Sequence, residues 1–335
     1  MTEQTSMASR RSSTAPTLPV VVHDVQRCAS AVVSITLTRH QGTKLPEWEP
    51  GAHVEVTLPS GTVRQYSLCS SRDDLHSYRI GVLRVDPAAG GKGGSAELHD
   101  AISAGDSLEI SWPRNHFRFE PADHNLFIAG GIGITPLIPM IWEAQRTAAS
   151  WELHYTGRSR RTMAFIDHLP SIDDDRIHLY PREELGQRMN LGAILTEPEP
   201  DLHVYACGPS AMLNEILDRT TEWPRGSVHF EQFERLTKPD TSQPEVGGEF
   251  EIEVASTGRT VTVPAGISIL NALRDDDIDP PSSCEEGWCG VCETGLLDGQ
   301  PDHRDDFLTP EERAAGDRVM ICVSRCSGTK MVLDL

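Results

Sequence analysis

Four cysteines in the last fifth of the sequence constrain its fold more than any other feature. Cys284, Cys289 and Cys292 follow the spacing C-x4-C-x2-C, and Cys322 comes after 29 further residues. Three close thiolates and a distant fourth are the ligand pattern of a plant-type [2Fe–2S] cluster. Zinc sites usually draw their ligands from two close pairs, so the spacing favours iron and sulfur over zinc or structural thiols. This segment must therefore form a tight loop around the cluster, with its fourth ligand on another segment.

Small residues surround the cysteine triplet, where they let the backbone curl around a cluster and direct N–H groups at its sulfurs. They are Ser282, Ser283, Gly287 and Gly290. Cys326, four residues after Cys322, is an alternative fourth ligand, although the spacing favours Cys322. The three remaining cysteines are dispersed, which predicts buried side chains that behave as small hydrophobes. These are Cys28, Cys69 and Cys207.

The charge balance excludes two classes of partner. The 335 residues include 30 Lys and Arg against 50 Asp and Glu, a formal net charge of −20. Nucleic acids and anionic membranes attract clustered Lys and Arg, so we expect this chain to bind neither. The segment 249–335 holds 18 acidic and 7 basic side chains, a net charge of −11. We therefore expect the cluster-bearing unit to attract a basic patch on its electron acceptor.

The first residues and the hydropathy pattern bear on location. No apolar run approaches the roughly 20 residues that span a bilayer. The polar, Ser- and Thr-rich start lacks the apolar core of a secretory signal. We expect a cytoplasmic protein that has no contact with a membrane.

The residue pattern divides the chain into three folded units, as its length suggests. Short β-branched runs broken by Gly and Pro predict about six strands of an antiparallel β-barrel. Alternating strands and helices then predict a parallel α/β sheet, followed by a polar linker and the cysteine-rich unit. The predicted segments are a disordered tail 1–18, a barrel 19–122, an α/β unit 123–233, a linker 234–248 and an iron–sulfur unit 249–335. Helices are predicted near 136–145, 164–169, 210–219 and 268–274.

Two segments of the barrel have the residue types that bind a flavin. The strand 64–68, RQYSL, supplies a cation, a flat aromatic ring and a hydroxyl in Arg64, Tyr66 and Ser67. The loop 90–95, GGKGGS, opens a predicted helix and would offer N–H groups to a phosphate. Taken alone, each segment is weak evidence, because such residues more often serve packing or form flexible surface loops.

Two glycine turns of the α/β unit predict a nucleotide site. LFIAGGIGITP at 126–136 and YACGPS at 205–210 each follow a strand and open a helix. The first is not the G-x-G-x-x-G fingerprint, because Pro136 occupies its third small position. Both turns would lie at the carboxyl ends of parallel strands, where such sheets bind ligands in a crevice.

In this order, the motifs resemble those of the phthalate dioxygenase reductase family, to which vanillate O-demethylase reductase is a close relative. They are RQYSL, GGKGGS, WPRNHF, GGIGITP, YACGPSAM, HFEQF and CEEGWCGVC…C, and they cover about residues 20–335. The resemblance implies a multidomain protein with an antiparallel β-barrel for FMN, a parallel α/β sheet for NAD and a β-grasp ferredoxin domain.

The resemblance also implies roles for individual residues. Around FMN it implies Arg64, Gln65, Tyr66, Ser67, Lys92, Gly93, Gly94, Ser95 and Phe233. Around NAD it implies Gly131, Gly133, Thr135, Cys207, Gly208, Pro209 and Arg158. Ser67 and Cys207 would be catalytic, and Cys284, Cys289, Cys292 and Cys322 would hold the cluster. His99, His116, His229 and His303 are scattered among different elements and are expected to have ordinary packing or surface roles.

The implied activity is that of an NADH-dependent reductase for an oxygenase that hydroxylates or demethylates an aromatic compound. NADH delivers two electrons and a cluster takes one at a time, so FMN would stand between them. The implied partner is a terminal Rieske non-haem iron oxygenase, and the implied state is a monomer. A cytochrome P450 partner and a non-catalytic iron–sulfur module are the alternatives. Arg158, Arg160 and Arg161 leave NADPH open, although vanillate-type members with similar arginines mostly use NADH.

Overall fold

The computed structural model describes residues 17–86, 93–169, 174–199, 201–224, 226–233, 248–282, 285, 287, 290–305 and 307–335. These residues form a six-stranded antiparallel sheet, a five-stranded parallel sheet and a five-stranded mixed sheet, with a separate two-stranded ribbon. The predicted multidomain fold class is therefore confirmed. Lys92, Cys284 and Cys289 lie outside the described residues, as do 1–16 of the predicted tail and 234–247 of the predicted linker.

The first unit is a β-barrel. Its elements are β1 (Thr17–Ala29), β2 (Val32–Thr38), β3 (His53–Thr57), β4 (Val63–Ser67), β5 (Ser77–Leu83), α1 (Gly94–Asp100) and β6 (Ser107–Ser111). The strand order is β4-β3-β6-β1-β2-β5. A bridge between Leu68 and Ile80 joins the two edges of this order, which closes the barrel. Alternate residues of the strands fill its core, and Leu98 of α1 packs among them.

The second unit is a doubly wound α/β sheet. Its elements are β7 (His124–Gly130), α2 (Ile134–Arg146), β8 (Ser150–Gly157), β9 (Ile177–Pro181), α3 (Arg182–Leu185), α4 (Leu191–Ile194), β10 (Leu202–Cys207), α5 (Ser210–Arg219) and β11 (Val228–Glu231). All neighbours in the order β11-β10-β7-β8-β9 are parallel. The order reverses between β7 and β10, and sheets of this kind bind ligands at the carboxyl edge of such a switch point.

The third unit is a mixed sheet with a helix across it, the β-grasp arrangement. Its elements are β12 (Phe250–Val254), β13 (Arg259–Val263), α6 (Ile269–Asp275), β14 (Glu293–Asp298), β15 (Pro301–Asp302), α7 (Pro310–Ala315), β16 (Arg318–Met320), β17 (Arg325–Cys326) and β18 (Lys330–Asp334). The sheet order is β13-β12-β18-β14-β16, with β12 and β18 parallel. Ser268 caps α6 by accepting a hydrogen bond from the Asn271 N–H, and the apolar face of α6 closes the core.

Two sequence predictions are wrong in detail. The predicted helix 164–169 is a buried loop with a short 3-10 turn, Ile166–His168, because Phe165 has a φ of 60°, which an α-helix does not allow. Its apolar residues pack in the core between the barrel and the parallel sheet, and their pattern in the sequence resembles that of a buried helix. The predicted tail 1–18 is two residues too long, because Thr17 and Leu18 pair with β6 and Leu18 enters the barrel core.

Helix length bears on the membrane prediction. Over the part of the chain that the structure describes, no helix is both long and apolar enough to cross a membrane.

Candidate functional site

The predicted flavin strand, β4, lies where the barrel meets the α/β sheet. Its pairing with β3 sets Tyr66 opposite Val54 and Ser67 opposite His53. Because side chains alternate along a strand, Arg64 and Tyr66 share one face and Ser67 lies on the other. Tyr66 packs against the barrel core, and burial raises the pKa of its phenol.

Ser67, Glu231 and Cys207 converge from three strands. The Ser67 hydroxyl donates a hydrogen bond to Glu231 Oε2 at 3.3 Å. Glu231 ends β11 and pairs in register with Cys207, which ends β10. Burial raises the pKa of Glu231 to about 8, and the hydrogen bond from Ser67 acts in the opposite direction. Burial, aided by the charge of Glu231, also raises the pKa of the Cys207 thiol well above its usual value. Both groups therefore hold their protons at neutral pH.

Buried polar atoms beside Ser67 fit the polar edge of a flavin ring. His53 Nε2 and Gln232 Oε1 are two of the buried side-chain atoms that have no hydrogen-bond partner among the described residues. Buried donors and acceptors are rarely left unpaired, because each costs about 1–3 kcal/mol. Burial, followed by the charges of His116 and Arg114, lowers the pKa of His53 to about 3, so its ring is neutral. The ring edge of a flavin carries carbonyl oxygens and N–H groups that would complement this set.

The described residues of the predicted flavin phosphate site, Arg64, Gly93, Gly94 and Ser95, come together at the start of α1. Gly93 precedes the helix with a φ of 84°, and a Cβ on Gly94 would lie 2.9 Å from Arg64 Cγ. Glycine at 94 therefore lets Arg64 lie across the first turn. The Ser95 hydroxyl accepts a hydrogen bond from the Val85 N–H at 3.0 Å, so it ties the two ends of the glycine loop together.

The two predicted glycine turns are in direct contact. A Cβ on Gly133 would lie 2.2 Å from the Cys207 carbonyl oxygen, and one on Gly208 would lie 2.8 Å from Gly130 Cα. Pro209 lies against the same turn, since its Cδ would be 2.6 Å from a Cβ on Gly130. Only residues without a side chain allow this approach, and the two packed turns border the predicted crevice at the carboxyl edge of the sheet.

Three further predicted residues lie around this crevice. Thr135 is buried, and its hydroxyl donates to the Ile132 carbonyl at 2.9 Å, which stabilises the turn around Gly131 and Gly133. Phe233 is half-buried against the core that joins the barrel and the sheet. Arg158 is 69% exposed at the end of β8, and its guanidinium lies 3.9 Å from Glu183. The structure thus brings Thr135 and Phe233 to the centre and leaves Arg158 at the rim.

Two glycines of the predicted cluster loop lie among the described residues. Gly287 and Gly290 have φ values of 81° and 76°, and a Cβ on Gly290 would lie 2.3 Å from the Phe307 ring. The Cys292 carbonyl accepts a hydrogen bond from the Ile321 N–H at 3.4 Å, which brings the segments of Cys292 and Cys322 together. Both cysteines are buried in the core of the third unit, as cluster ligands would be.

Cys326, the alternative ligand, takes part in a turn. Its Sγ accepts a hydrogen bond from the Gly328 N–H at 3.3 Å and lies 3.5 Å from the Lys330 carbonyl. These contacts support Cys322 as the fourth ligand, which stays a prediction.

Three aromatic rings connect the flavin strand to the cluster loop. His116 stacks on His53 with ring centroids 5.7 Å apart, and Phe307 meets His116 edge-on at 5.7 Å. Because His53 is opposite Ser67 and Phe307 covers Gly290, the rings fill the space between the two candidate cofactor sites.

Sequence reasoning missed Glu231 and assigned His116 to ordinary packing. Glu231 lies within the HFEQF motif, and its signal was an acidic residue at the end of the last strand of the parallel sheet. Nothing local in the sequence points to the contacts of His116.

Comparison with known proteins gives one family model and several full-length relatives. The model, described as a 2Fe-2S iron-sulfur cluster binding domain, matches residues 252–327. The chain is 39% identical to the phenoxybenzoate dioxygenase subunit beta of Ectopseudomonas oleovorans over 94% of its own length and 96% of the relative. It is 38% identical to the vanillate O-demethylase oxidoreductase of Pseudomonas sp. strain HR199 over 95% of its length and 100% of the relative.

Two solved structures are similar over almost the entire chain. The structure of phthalate dioxygenase reductase, described as modular for electron transfer from pyridine nucleotides to [2Fe–2S], is 35% identical, with a TM-score of 0.70. The match covers 95% of this chain and 98% of that one. An intact type IV self-sufficient cytochrome P450 monooxygenase is 39% identical, with a TM-score of 0.85 over 95% of this chain. This chain spans 41% of the length of that monooxygenase.

Proposed function

The chain belongs to the phthalate dioxygenase reductase family, and from this premise we propose that it is the reductase component of an oxygenase system. It would pass electrons from NADH through FMN to a [2Fe–2S] cluster and then to the terminal oxygenase. The observation that carries this proposal is the meeting of three features around Ser67. The flavin strand lies on one side, the glycine crevice next to Cys207 on a second, and the cluster loop behind His116 and Phe307 on a third.

The division of labour follows from the cofactors. A bound flavin supplies the exchange between a donor of electron pairs and an acceptor of single electrons. The chain itself must bind its ligands, orient them and keep water out. We assign the phosphate to Arg64 with Lys92, Gly93, Gly94 and Ser95, and this is supported by the packing of Arg64 on Gly94.

Ser67 and Glu231 would form the polar floor of the reaction site. The Ser67 hydroxyl donates a hydrogen bond to Glu231, and the raised pKa of Glu231 means that its carboxyl group also carries a proton. Cys207, whose thiol stays protonated, would act as an apolar wall against the nicotinamide instead of as a nucleophile. Preorganised groups of this kind stabilise a reacting geometry without rearranging during the reaction.

The cluster would be held by Cys284, Cys289, Cys292 and Cys322. The meeting of the Cys292 and Cys322 segments in the core of the third unit supports this assignment, because it brings two of the four proposed ligands close together. The ring of Phe307 over Gly290 would exclude water from the side that faces the flavin.

We propose that the partner is the terminal oxygenase of a Rieske non-haem iron system. The support is the resemblance to phthalate and vanillate reductases, whose names describe oxygenase systems. We also propose that the reductase acts as a monomer, since one chain supplies the barrel, the nucleotide crevice and the ferredoxin unit. Size-exclusion chromatography with light scattering would test this state.

A P450 partner is the second candidate. It is favoured by the likeness to part of a self-sufficient P450 monooxygenase chain. Turnover assays with the two classes of acceptor would separate the candidates, because the proposed reductase should support a Rieske oxygenase and not a P450.

A visible spectrum tests the proposed function directly. The purified holoprotein should show the absorption of an oxidised flavin together with that of a [2Fe–2S] cluster. NADH added without oxygen should bleach both. A cluster spectrum without a flavin, or one unchanged by NADH, would leave only a passive iron–sulfur module.

A further inference from the structure

Three side chains of metal-binding type converge on one face of the α/β sheet. Glu152 and His154 belong to β8, and His178 belongs to the edge strand β9. The parallel register sets His154 beside His178. Glu152 precedes His154 by two residues and so points to the same face.

The three donor atoms are already close to one another. Glu152 Oε1 lies 3.1 Å from His154 Nε2 and 2.6 Å from His178 Nε2, and all three donors lie within 4.8 Å of one another. A tetrahedral zinc ion with bonds of about 2.0–2.1 Å separates its ligand atoms by about 3.3 Å. The His178 ring stacks on His154, so His178 must turn out of this stack, with a smaller shift of Glu152, to bring both Nε2 atoms onto one ion.

A fourth residue holds the buried ligand in place. The Tyr180 hydroxyl lies 2.9 Å from His154 Nδ1, which directs Nε2 of the same ring toward Glu152 and His178. Histidines that bind metals almost always have such a partner on their other nitrogen. The His178 ring stacks on His154 with centroids 4.7 Å apart, so the two imidazoles form one surface.

Exposure suits a site that an ion can enter from solvent. The His154 side chain is 9% exposed, whereas Glu152 and His178 are 47% and 38% exposed.

We propose that Glu152, His154 and His178 bind a divalent transition-metal ion of the zinc class, with Tyr180 as a positioning residue and water as the remaining ligand. Two imidazole nitrogens and one carboxylate oxygen suit Zn²⁺ and not Mg²⁺, which prefers oxygen ligands. The ion would hold the edge strand β9 to β8. This proposal is independent of the electron-transfer function.

Calorimetric titration of the flavin- and cluster-loaded protein with Zn²⁺ tests the site, with the cluster absorbance followed to confirm that iron is retained. Wild type should bind one Zn²⁺, and Mg²⁺ should give no binding heat. Glu152→Gln and His178→Ala, both at exposed positions, should weaken Zn²⁺ binding by at least about tenfold. His40→Ala, at an exposed histidine of the barrel, should bind as wild type does.

Thermal unfolding gives a second measurement. Zn²⁺ should raise the unfolding temperature of wild type and leave that of Glu152→Gln unchanged. Tyr180→Phe should bind Zn²⁺ about tenfold more weakly while unfolding at the wild-type temperature without zinc. The proposal is rejected if wild type binds no Zn²⁺, or if Glu152→Gln and His178→Ala bind it as tightly as wild type does. Glu152, His154 and His178 would then form only a hydrogen-bonded group. Wild-type affinity in Tyr180→Phe would reject the positioning role.

Discussion

At the scale of single residues, Ser67 and Glu231 show how the fold shapes the properties of a reaction site. A serine on a strand usually contacts solvent, but Ser67 is 4% exposed and donates to the carboxyl group of half-buried Glu231. A carboxyl group without an ion partner in such a place avoids the cost of a buried charge by keeping its proton. The pair therefore presents neutral hydrogen-bonding groups where we propose that the flavin ring lies.

The first prediction concerns the hydroxyl of Ser67. Ser67→Ala should slow reduction of bound FMN by NADH by roughly 10²-fold, because one preorganised donor is lost, while FMN stays bound. Stopped-flow absorbance measures the rate. Ser70→Ala removes another buried hydroxyl, one that accepts from the Arg79 N–H, and should react as wild type does. An unchanged rate in Ser67→Ala would remove the assigned role.

The second prediction concerns the pH dependence of stability. The pKa of Glu231 is raised from 4.5 to about 8, so the folded state keeps a proton that the unfolded chain releases in this range. The free energy of unfolding should therefore fall as pH rises from about 4.5 to 8, and the contribution is lost above 8.

Glu231→Gln should remove this part of the slope, as denaturant titrations across the range would measure in excess FMN. Glu47→Gln, at an exposed position of the barrel, is the control and should keep the wild-type slope. Equal slopes in wild type and Glu231→Gln would show that the carboxyl group does not titrate in this window.

At the scale of elements, Gly290 of the cluster loop must be glycine for two separate reasons, its backbone conformation and the space that a side chain would need. Gly290 combines a left-handed backbone with the Phe307 ring at the place where a Cβ would be. Gly316, after α7, has a φ of 65° with nothing near its missing Cβ. The two positions separate the cost of backbone strain from the cost of a clash.

The third prediction uses this pair. Gly290→Ala should lower the iron content and the visible absorption of the cluster severalfold, because the loop must move away from Phe307. Gly316→Ala should cost only the ~1–2 kcal/mol of a left-handed residue and keep the cluster. Iron analysis per chain and the visible spectrum measure both, and a full cluster in Gly290→Ala would contradict the packing argument.

The connection that follows β8 bears on the choice of nucleotide. Arg158 lies at the rim beside Glu183, which offsets part of its charge. The fourth prediction is that NADH is the preferred electron donor, with a lower KM for NADH than for NADPH. Steady-state kinetics with both nucleotides measure the two KM values. A lower KM for NADPH would indicate that Arg158, Arg160 and Arg161 bind a 2′-phosphate.

At the scale of the whole molecule, the acidic charge is unevenly distributed. The segment 249–335 carries a net charge of −11 out of −20. Some of its acidic side chains, including Asp279 and Glu285 near the cluster loop, are exposed. Charge on the unit that hands electrons onward would steer a basic partner into contact.

The fifth prediction follows from this distribution. The rate of electron transfer to the terminal oxygenase should fall as salt rises from about 0.01 to 0.5 M, because salt screens charges beyond the Debye length. Transfer between the flavin and the cluster inside one chain is the control and should change little. Salt-independent transfer to the partner would reduce the charge to a feature of solubility.

The sequence by itself determined the order of the three units, their fold classes and the kind of group each binds. It could do so because RQYSL, the two glycine turns and the cysteine triplet are local motifs whose spacing carries the chemistry. The helix predicted at 164–169 is wrong because a run of buried apolar residues has the same sequence pattern in a helix and in a buried loop.

Only the tertiary structure decided which distant residues meet. It paired Ser67 with Glu231, stacked His53, His116 and Phe307 between the barrel and the cluster loop, and set His154 beside His178. Contacts of this kind leave no local pattern, because strand register and the packing of one unit on another choose the neighbours. The same burial created the raised pKa of Glu231, which no spacing of residues could reveal.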